Sequence, residues 1–384
     1  MIPYGRQWLD ANDKAAVLAV LESDWLTQGP AIPRFERSVA DFCGAAHGVA
    51  VCNGTAALHL ACLALGVGAG DMVWTSPNTF VASANCARYC GADIDFVDID
   101  PETLNLSPQQ LADKLLAARR AGRLPKAVIP VHFAGRCCDM ETIHGLAEEF
   151  GFHIVEDASH ALGARDGEAL VGACRQSDVA VTSFHPVKLV TTGEGGMLLT
   201  RSAELAERLE RLRTHGITRD PARMAGAADG PWYYQQIELG YNYRMTDMQA
   251  ALGVSQMARL PAFLARRREL VKRYRAALAE LPLALPADDA DEDSAWHLFV
   301  VRVEAARRRQ VFLALRDADI GVNVHYIPVH LQPDYARLGF RPGQFPAAEQ
   351  YYREAITLPL YPAMSDADQD VVIAAVGAAL RATP

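Results

Sequence analysis

Ser183-Phe184-His185-Pro186-Val187-Lys188, followed by Thr191-Thr192-Gly193-Glu194-Gly195-Gly196, is the stretch that decides how this 384-residue chain folds. The run 179–183 is apolar and rich in β-formers, and it hands the chain to a loop that ends in a lysine and a glycine-rich turn. The lysine is therefore delivered at the carboxyl end of a buried strand. An amine placed there can capture a carbonyl group only if it sheds its proton, which positive charge nearby in a ligand pocket would promote.

Two other stretches supply what such a lysine needs. Residues 152–155 read as a short buried strand, and Glu156-Asp157-Ala158-Ser159-His160 follows at its end, so acids face the crevice where open α/β sheets bind ligands. Alone, Asp157 would be a helix cap. Beside a carbonyl-capturing lysine it reads as the partner of a protonated ring nitrogen in a cofactor that serves as an electron sink. The third stretch is Cys52-Asn53-Gly54-Thr55-Ala56-Ala57-Leu58, where strand 48–51 turns through glycine into an apolar helix. The first amides of a helix have no intrahelical acceptor and suit a phosphate. Thr55 and Ala56 are expected to donate backbone N–H groups, the Thr55 hydroxyl adds a bond, and Ser183 closes the cradle. As an isolated tripeptide, Asn-Gly-Thr would be a turn and an N-cap.

Apolar runs at 48–52, 72–75, 94–97, 127–131, 153–155, 179–183 and 197–200 alternate with helical stretches. This pattern implies an α/β fold, a mostly parallel seven-stranded sheet buried by helices in a large domain. The strand ends would gather Asn53, Pro77, His132, Asp157 and Ser183 into one crevice. A long helix beginning near Thr246, continued by the basic helix Arg266-Arg267-Arg268-Glu269-Leu270, leads into a smaller α+β domain built from 297–301 and 322–326. The arginine run reads as a solvated face, and 282–293, rich in Pro and Asp, as a loop. The division falls at 1–255, with the N-terminal segment in the large domain, and 256–384.

Half the residues are hydrophobic, enough for two buried cores. The formal charge of −9 argues against nucleic acid as a partner. No apolar run approaches membrane-spanning length, and Met1-Ile2-Pro3-Tyr4-Gly5-Arg6 lacks the regions of a signal peptide, so a cytoplasmic protein is expected. The eight cysteines are scattered, with no C-x-x-C pair for zinc or an iron–sulfur cluster, and no metal is expected.

In this order the motifs resemble the DegT/DnrJ/EryC1/StrS family of sugar-nucleotide aminotransferases, fold-type I pyridoxal phosphate enzymes, over nearly the whole chain. The likeness also takes in Leu26-Thr27-Gln28-Gly29, Thr75-Ser76-Pro77-Asn78-Thr79-Phe80-Val81-Ala82, Val97-Asp98-Ile99-Asp100, Pro130-Val131-His132-Phe133-Ala134-Gly135 and Gly240-Tyr241-Asn242-Tyr243-Arg244-Met245-Thr246-Asp247. It implies that Lys188 carries pyridoxal phosphate and shuttles the proton, while Asp157 pairs with the pyridine nitrogen. Phe80, otherwise a core residue, would stack on the ring, and His160 would contact its hydroxyl side. Asn242, otherwise a turn residue, would reach the cofactor phosphate of a partner subunit, so that a homodimer completes each site. The amino group would come from L-glutamate, leaving pyridoxamine phosphate and 2-oxoglutarate, and pass to the keto carbon of a nucleotide sugar.

His185-Pro186-Val187-Lys188 looks most like family members of the pseudaminic acid pathway, which aminate C4 of a UDP-linked 4-keto-6-deoxy-N-acetyl-hexosamine of the L series. Tyr4, Asp24, Trp25, Leu26, Thr27, His325, Tyr326 and Ile327 match places where those members hold substrate. Another nucleotide-linked keto sugar, of the bacillosamine, perosamine or 3-amino type, is the alternative. The family's dehydratases replace the lysine by histidine, so Lys188 argues against that branch. A noncatalytic regulatory member would show damage at Asp157, Ser183 or Lys188, and none is damaged.

Overall fold

All seven apolar runs form strands of one sheet: β1 (His47–Val51), β2 (Met72–Thr75), β3 (Asp93–Phe96), β4 (Ala127–Ile129), β5 (His153–Asp157), β6 (Val179–Ser183) and β7 (Gly196–Thr200). The computed structural model describes residues 1–288 and 291–382. The strand order is β1-β7-β6-β5-β4-β2-β3, parallel throughout except for β7, which runs antiparallel to both β1 and β6. Chain length accounts for the exception. Parallel neighbours need a crossover element, and the β6–β7 connection is the lysine loop with no helix in it, so β7 returns beside β6 in the opposite sense.

Successive residues of β1 face opposite sides of the sheet: Val49 and Val51 pack with Leu58 and Leu60 on one face, while Ala50 packs with Phe35 and Met197 on the other. Both faces are covered, as the continuous apolar runs imply. β5 extends beyond its apolar run to Asp157, because the backbone of Asp157 keeps bonding: its N–H donates to Pro130 O at 2.9 Å and its carbonyl accepts from His132 N at 3.1 Å.

The stretch from 247 and the arginine segment form one helix, Asp247–Leu278, which is capped by Thr246 and Gln249 in a reciprocal capping box and passes through Pro261. Its first half packs on helices Ala11–Leu21 and Ala31–Cys43. Its second half sends Leu270, Val271, Tyr274 and Leu278 into a separate core with Phe299, Val301, Ile356 and Leu358. The expected division at 255/256 thus falls inside a continuous helix. The arginine run is not simply a solvated face. Arg267 is 2% exposed and donates through Nη1 to the carbonyls of Trp296, His297 and Leu360 at 3.0, 3.2 and 3.0 Å. This ties the helix to the second core.

That second unit contains β8 (Phe299–Arg302) paired antiparallel with β9 (Ala355–Leu358). Residues 322–326 form no strand there. They hold one bridge, Asn323 to Thr357, and then turn toward the sheet of the large unit. The first residues also belong to this side: Gly321 N donates to Ile2 O at 2.6 Å and Leu360 N to Tyr4 O at 3.0 Å. In the expected loop 282–293, residues 289 and 290 lie outside the described ones. Among the described residues no helix is long and apolar enough to cross a membrane.

Candidate active site

A pocket of ≈600 Å³ opens at the carboxyl ends of β1, β5 and β6. The loop after β6 is pinned before it reaches Lys188. Phe184 is fully buried edge-on to Phe35 at 4.9 Å, its N–H donates to Gly195 O at 2.9 Å, and its carbonyl accepts from Thr192 N at 3.0 Å. Buried Leu189 and Val190 anchor the other side, so the Lys188 amine projects into the pocket from a fixed backbone. Burial lowers its pKa from 10.5 to about 8, with the charge of Asp157 opposing. The cause is desolvation rather than the neighbouring positive charge expected from the sequence. A shift of that size favours the neutral amine by about 3 kcal/mol.

Asp157 ends β5 facing the same pocket. Its Oδ2 accepts from Ser83 Oγ at 2.6 Å and its Oδ1 from Ser159 N at 3.1 Å, while Ser83 Oγ also lies 2.7 Å from Thr79 Oγ1. Glu156, one residue earlier, faces the other side of the sheet. It is buried against His132 Nε2 at 2.9 Å and bonded to Ser177 Oγ. His132 therefore turns away from the crevice in which the sequence placed it. Pro77 likewise lies behind the wall, with its carbonyl accepting from Val329 N at 2.9 Å.

The helix Gly54–Ala64 begins at the pocket floor with Asn53 as its N-cap. Asn53 Oδ1 takes the N–H of Ala56 at 2.8 Å, which leaves the amides of Gly54 and Thr55 to face a ligand. The expected donation by Ala56 is thus already taken up by the cap. Ser183 stands across from the helix start: a Cβ at Gly54 would come within 3.0 Å of Ser183 Cβ and 3.2 Å of its Oγ. Gly196 allows the same close approach from β7, because a Cβ there would be 2.5 Å from Asn53 O. These glycines keep open a cradle of amides and hydroxyls at a helix N-terminus, the surroundings a phosphate requires.

Phe80, 58% exposed, and His160 join these groups from the large unit, while Tyr4, His325 and Tyr326, whose hydroxyl lies 3.1 Å from His160 Nε2, line the pocket from the second unit. Asn323, His297 and Glu194 also line it and escaped the sequence reading, as did Ser83 and Thr79 beside Asp157. For Ser83 a signal was present, since it directly follows Val81-Ala82 of a recognised motif. The other expected residues lie elsewhere on this chain. Trp25 is 54% exposed, and Asp24, Leu26 and Thr27 are exposed with it, where Asp247 N donates to Leu26 O at 3.0 Å and Thr27 bridges Thr246. Ile327 and Asn242 are exposed as well and lie outside the pocket.

A lysine amine of lowered pKa, a buried carboxylate, an aromatic wall and an open phosphate cradle fit pyridoxal 5′-phosphate, on the sheet order of a fold-type I transferase. The protein is an enzyme of that class. Residues 7–377 match the DegT/DnrJ/EryC1/StrS aminotransferase family, and the chain belongs to it. It is 41% identical over 382 residues to the spore coat polysaccharide biosynthesis protein SpsC of Bacillus subtilis (strain 168), covering 98% of this chain and 96% of that protein. Among solved structures it resembles Helicobacter pylori PseC, an aminotransferase involved in the biosynthesis of pseudoaminic acid, with a TM-score of 0.91 at 27% identity over 99% of both chains. It also resembles Spr1654 of Streptococcus pneumoniae. The PMP form of that protein gives a TM-score of 0.90 at 30% identity over 100% of both chains, and its PLP form 0.89 at 28% over 99% of both. The cofactor cycles between pyridoxal and pyridoxamine phosphate.

Proposed function

We propose that this enzyme moves an amino group from L-glutamate to the keto carbon of a nucleotide-linked sugar. The observation that carries the reading is the shape of the pocket. The ≈600 Å³ are lined by the cofactor-binding groups of the large unit and also by Tyr4, Asn323, His325 and Tyr326 of the second unit, polar and aromatic groups that suit a second ligand beside the cofactor. Bound pyridoxal phosphate supplies the electron sink on which an amino group is exchanged. Lys188 Nζ, neutral in about a tenth of molecules at pH 7 given its pKa of about 8, accepts and returns the proton. Asp157, oriented by Ser83 and Ser159, holds the ring nitrogen protonated, and the Gly54 and Thr55 amides with Ser183 fix the phosphate. Asn242, exposed on its own chain, serves the phosphate of a partner subunit in a cytoplasmic homodimer.

The broad reading of the sugar is better supported than the L-series 4-keto-6-deoxy hexosamine of the pseudaminic acid pathway. The likeness to PseC is close in shape but 27% in sequence, whereas the spore coat protein SpsC stands at 41%. The test offers cofactor-loaded protein L-glutamate with the two C5 epimers of UDP-4-keto-6-deoxy-N-acetyl-hexosamine, and then a panel of other nucleotide-linked keto sugars. Amino sugar is followed by mass spectrometry and 2-oxoglutarate by a coupled assay. Amination of the L-arabino epimer alone selects the pseudaminic reading, and amination of another keto sugar selects the broad one. No product with any of them overturns the proposal.

A further inference from the structure

The hydrogen bonds at His160 run in one direction. The backbone N–H of Ala134 lies 3.3 Å from His160 Nδ1, and a backbone amide only donates, so Nδ1 is the acceptor and the neutral ring carries its proton on Nε2. Nε2 lies 3.1 Å from Tyr326 Oη, which makes the imidazole the donor and the phenol oxygen the acceptor. The hydroxyl proton of Tyr326 is then left for a partner in the pocket that Tyr326 lines. Burial, reinforced by the charges of Lys188 and His325, holds His160 well below the usual histidine range, so the ring stays neutral. Burial, with Asp157 and Tyr4 adding to it, raises Tyr326, so the phenol keeps its proton. The ring of His297 packs on His160 at 4.4 Å, while the His160 nitrogens are engaged by Ala134 and Tyr326. The titratable groups around the pair are Lys188, Asp157, His297, His325 and Tyr4.

We propose that Tyr326, its oxygen accepting from His160 Nε2–H, presents its hydroxyl proton to an acceptor oxygen of the bound ligand, aimed there by Ala134 and His160, and that His160 is a positioning residue acting through Tyr326. This replaces the direct contact between His160 and the cofactor ring expected from the sequence, since both of its nitrogens are engaged. The acceptor is either the ring oxygen of the cofactor or an oxygen of the substrate. The proposal rests on the cofactor assignment and, in its substrate arm alone, on the proposed reaction.

The test uses cofactor-loaded wild type, Tyr326→Phe, His160→Leu, His160→Gln and the double variant Tyr326→Phe/His160→Leu. The first readout is the pH midpoint of the absorbance of the lysine-bound cofactor without substrate, and the second is KM for L-glutamate and for the acceptor sugar. If the acceptor is the ring oxygen, Tyr326→Phe removes a donor that stabilises the more negative, deprotonated chromophore, and the midpoint rises by about one unit. If it is a substrate oxygen, the midpoint holds and the KM of that substrate rises about tenfold. In either case His160→Leu gives part of the same change and adds nothing in the Tyr326→Phe background, while His160→Gln, which keeps a donor N–H, restores wild-type values. A midpoint within about 0.3 unit of wild type together with both KM values within about twofold in Tyr326→Phe overturns the proposal, as does a His160→Leu effect that persists undiminished in the double variant. Should His160→Leu fail to fold, Tyr326→Phe and His160→Gln decide. The midpoint and the glutamate half-reaction need no sugar, so failure of the sugar reading shows separately, as wild type that turns over no keto sugar.

Discussion

The two walls of the pocket are built differently. The cofactor wall is made where strands end: Asn53 to Thr55 after β1, Asp157 at the end of β5, and Ser183 to Lys188 after β6 each lie within a few residues of a strand that fixes them. The wall from the second unit joins Tyr4 to Asn323 and His325, segments more than three hundred residues apart. They are held by the pairing of Ile2 with Ile320, the Leu360 to Tyr4 bond and a 2.8 Å contact between His325 Nδ1 and Thr357 Oγ1. A strand end specifies a rigid position, whereas a wall assembled from tertiary contacts can vary one side chain at a time. On the proposed function, chemistry belongs to the first wall and substrate preference to the second.

Replacing Lys188 tests the chemical wall hardest. Lys188→Ala should lower kcat by about a thousandfold or more while still binding pyridoxamine phosphate through the cradle, as steady-state kinetics and equilibrium dialysis would show. Full turnover in that variant would remove the basis of the assignment. Asp157→Asn keeps the shape but loses the charge that faces the ring nitrogen, and a fall in kcat of about a hundredfold is expected with little change in fold.

The pH dependence follows from burial. The lysine has its pKa lowered to about 8, so its reactive neutral form grows about tenfold per pH unit below that value and levels off above it. The rate at which cofactor-free protein captures pyridoxal phosphate, followed by stopped-flow absorbance, should show that rise and plateau. A rise continuing past pH 10 would mean that the amine is not desolvated as described. The linked effect on stability has the same sign: the folded state holds its proton less tightly than the unfolded chain, so stability increases with pH between about 8 and 10.5.

Gly54→Ala places a methyl 3.0 Å from Ser183 and should weaken cofactor binding about tenfold, with a stability loss of about 1–3 kcal/mol. The smallest effect belongs to the other wall. Asn323→Ala removes a hydrogen-bond partner of Tyr4 and should raise KM for the sugar severalfold with kcat nearly unchanged. A large kcat effect there would erase the contrast between the walls.

The same contrast explains what the sequence made legible. The lysine, the aspartate and the helix start were readable because each sits beside its own apolar strand, and local sequence determines both. Ser83 is hard to read because its bond to Asp157 spans 74 residues, and His297 because nothing near it in sequence points to a pocket, whereas Asn323 stands just before His325 and Tyr326, which the family likeness already marks. The arginine run misled for a related reason. Arg267 is buried only because three carbonyls from two distant segments converge on it. Glu156 and His132 were placed in the crevice because strand ends were read as points, although alternate residues of β5 face opposite sides.

One lysine, in the loop that follows β6, is proposed to carry the cofactor. The chain has five, Lys14, Lys114, Lys126, Lys188 and Lys272, so the claim is settled by reducing the pyridoxal phosphate-loaded protein with borohydride and mapping the pyridoxyl group by peptide mass spectrometry. The group is expected on Lys188 alone, with Lys114 held by Asp95 at 2.6 Å and Lys272 by Glu292 at 2.9 Å left unmodified. Stoichiometric labelling of another lysine, or none on Lys188, would contradict it.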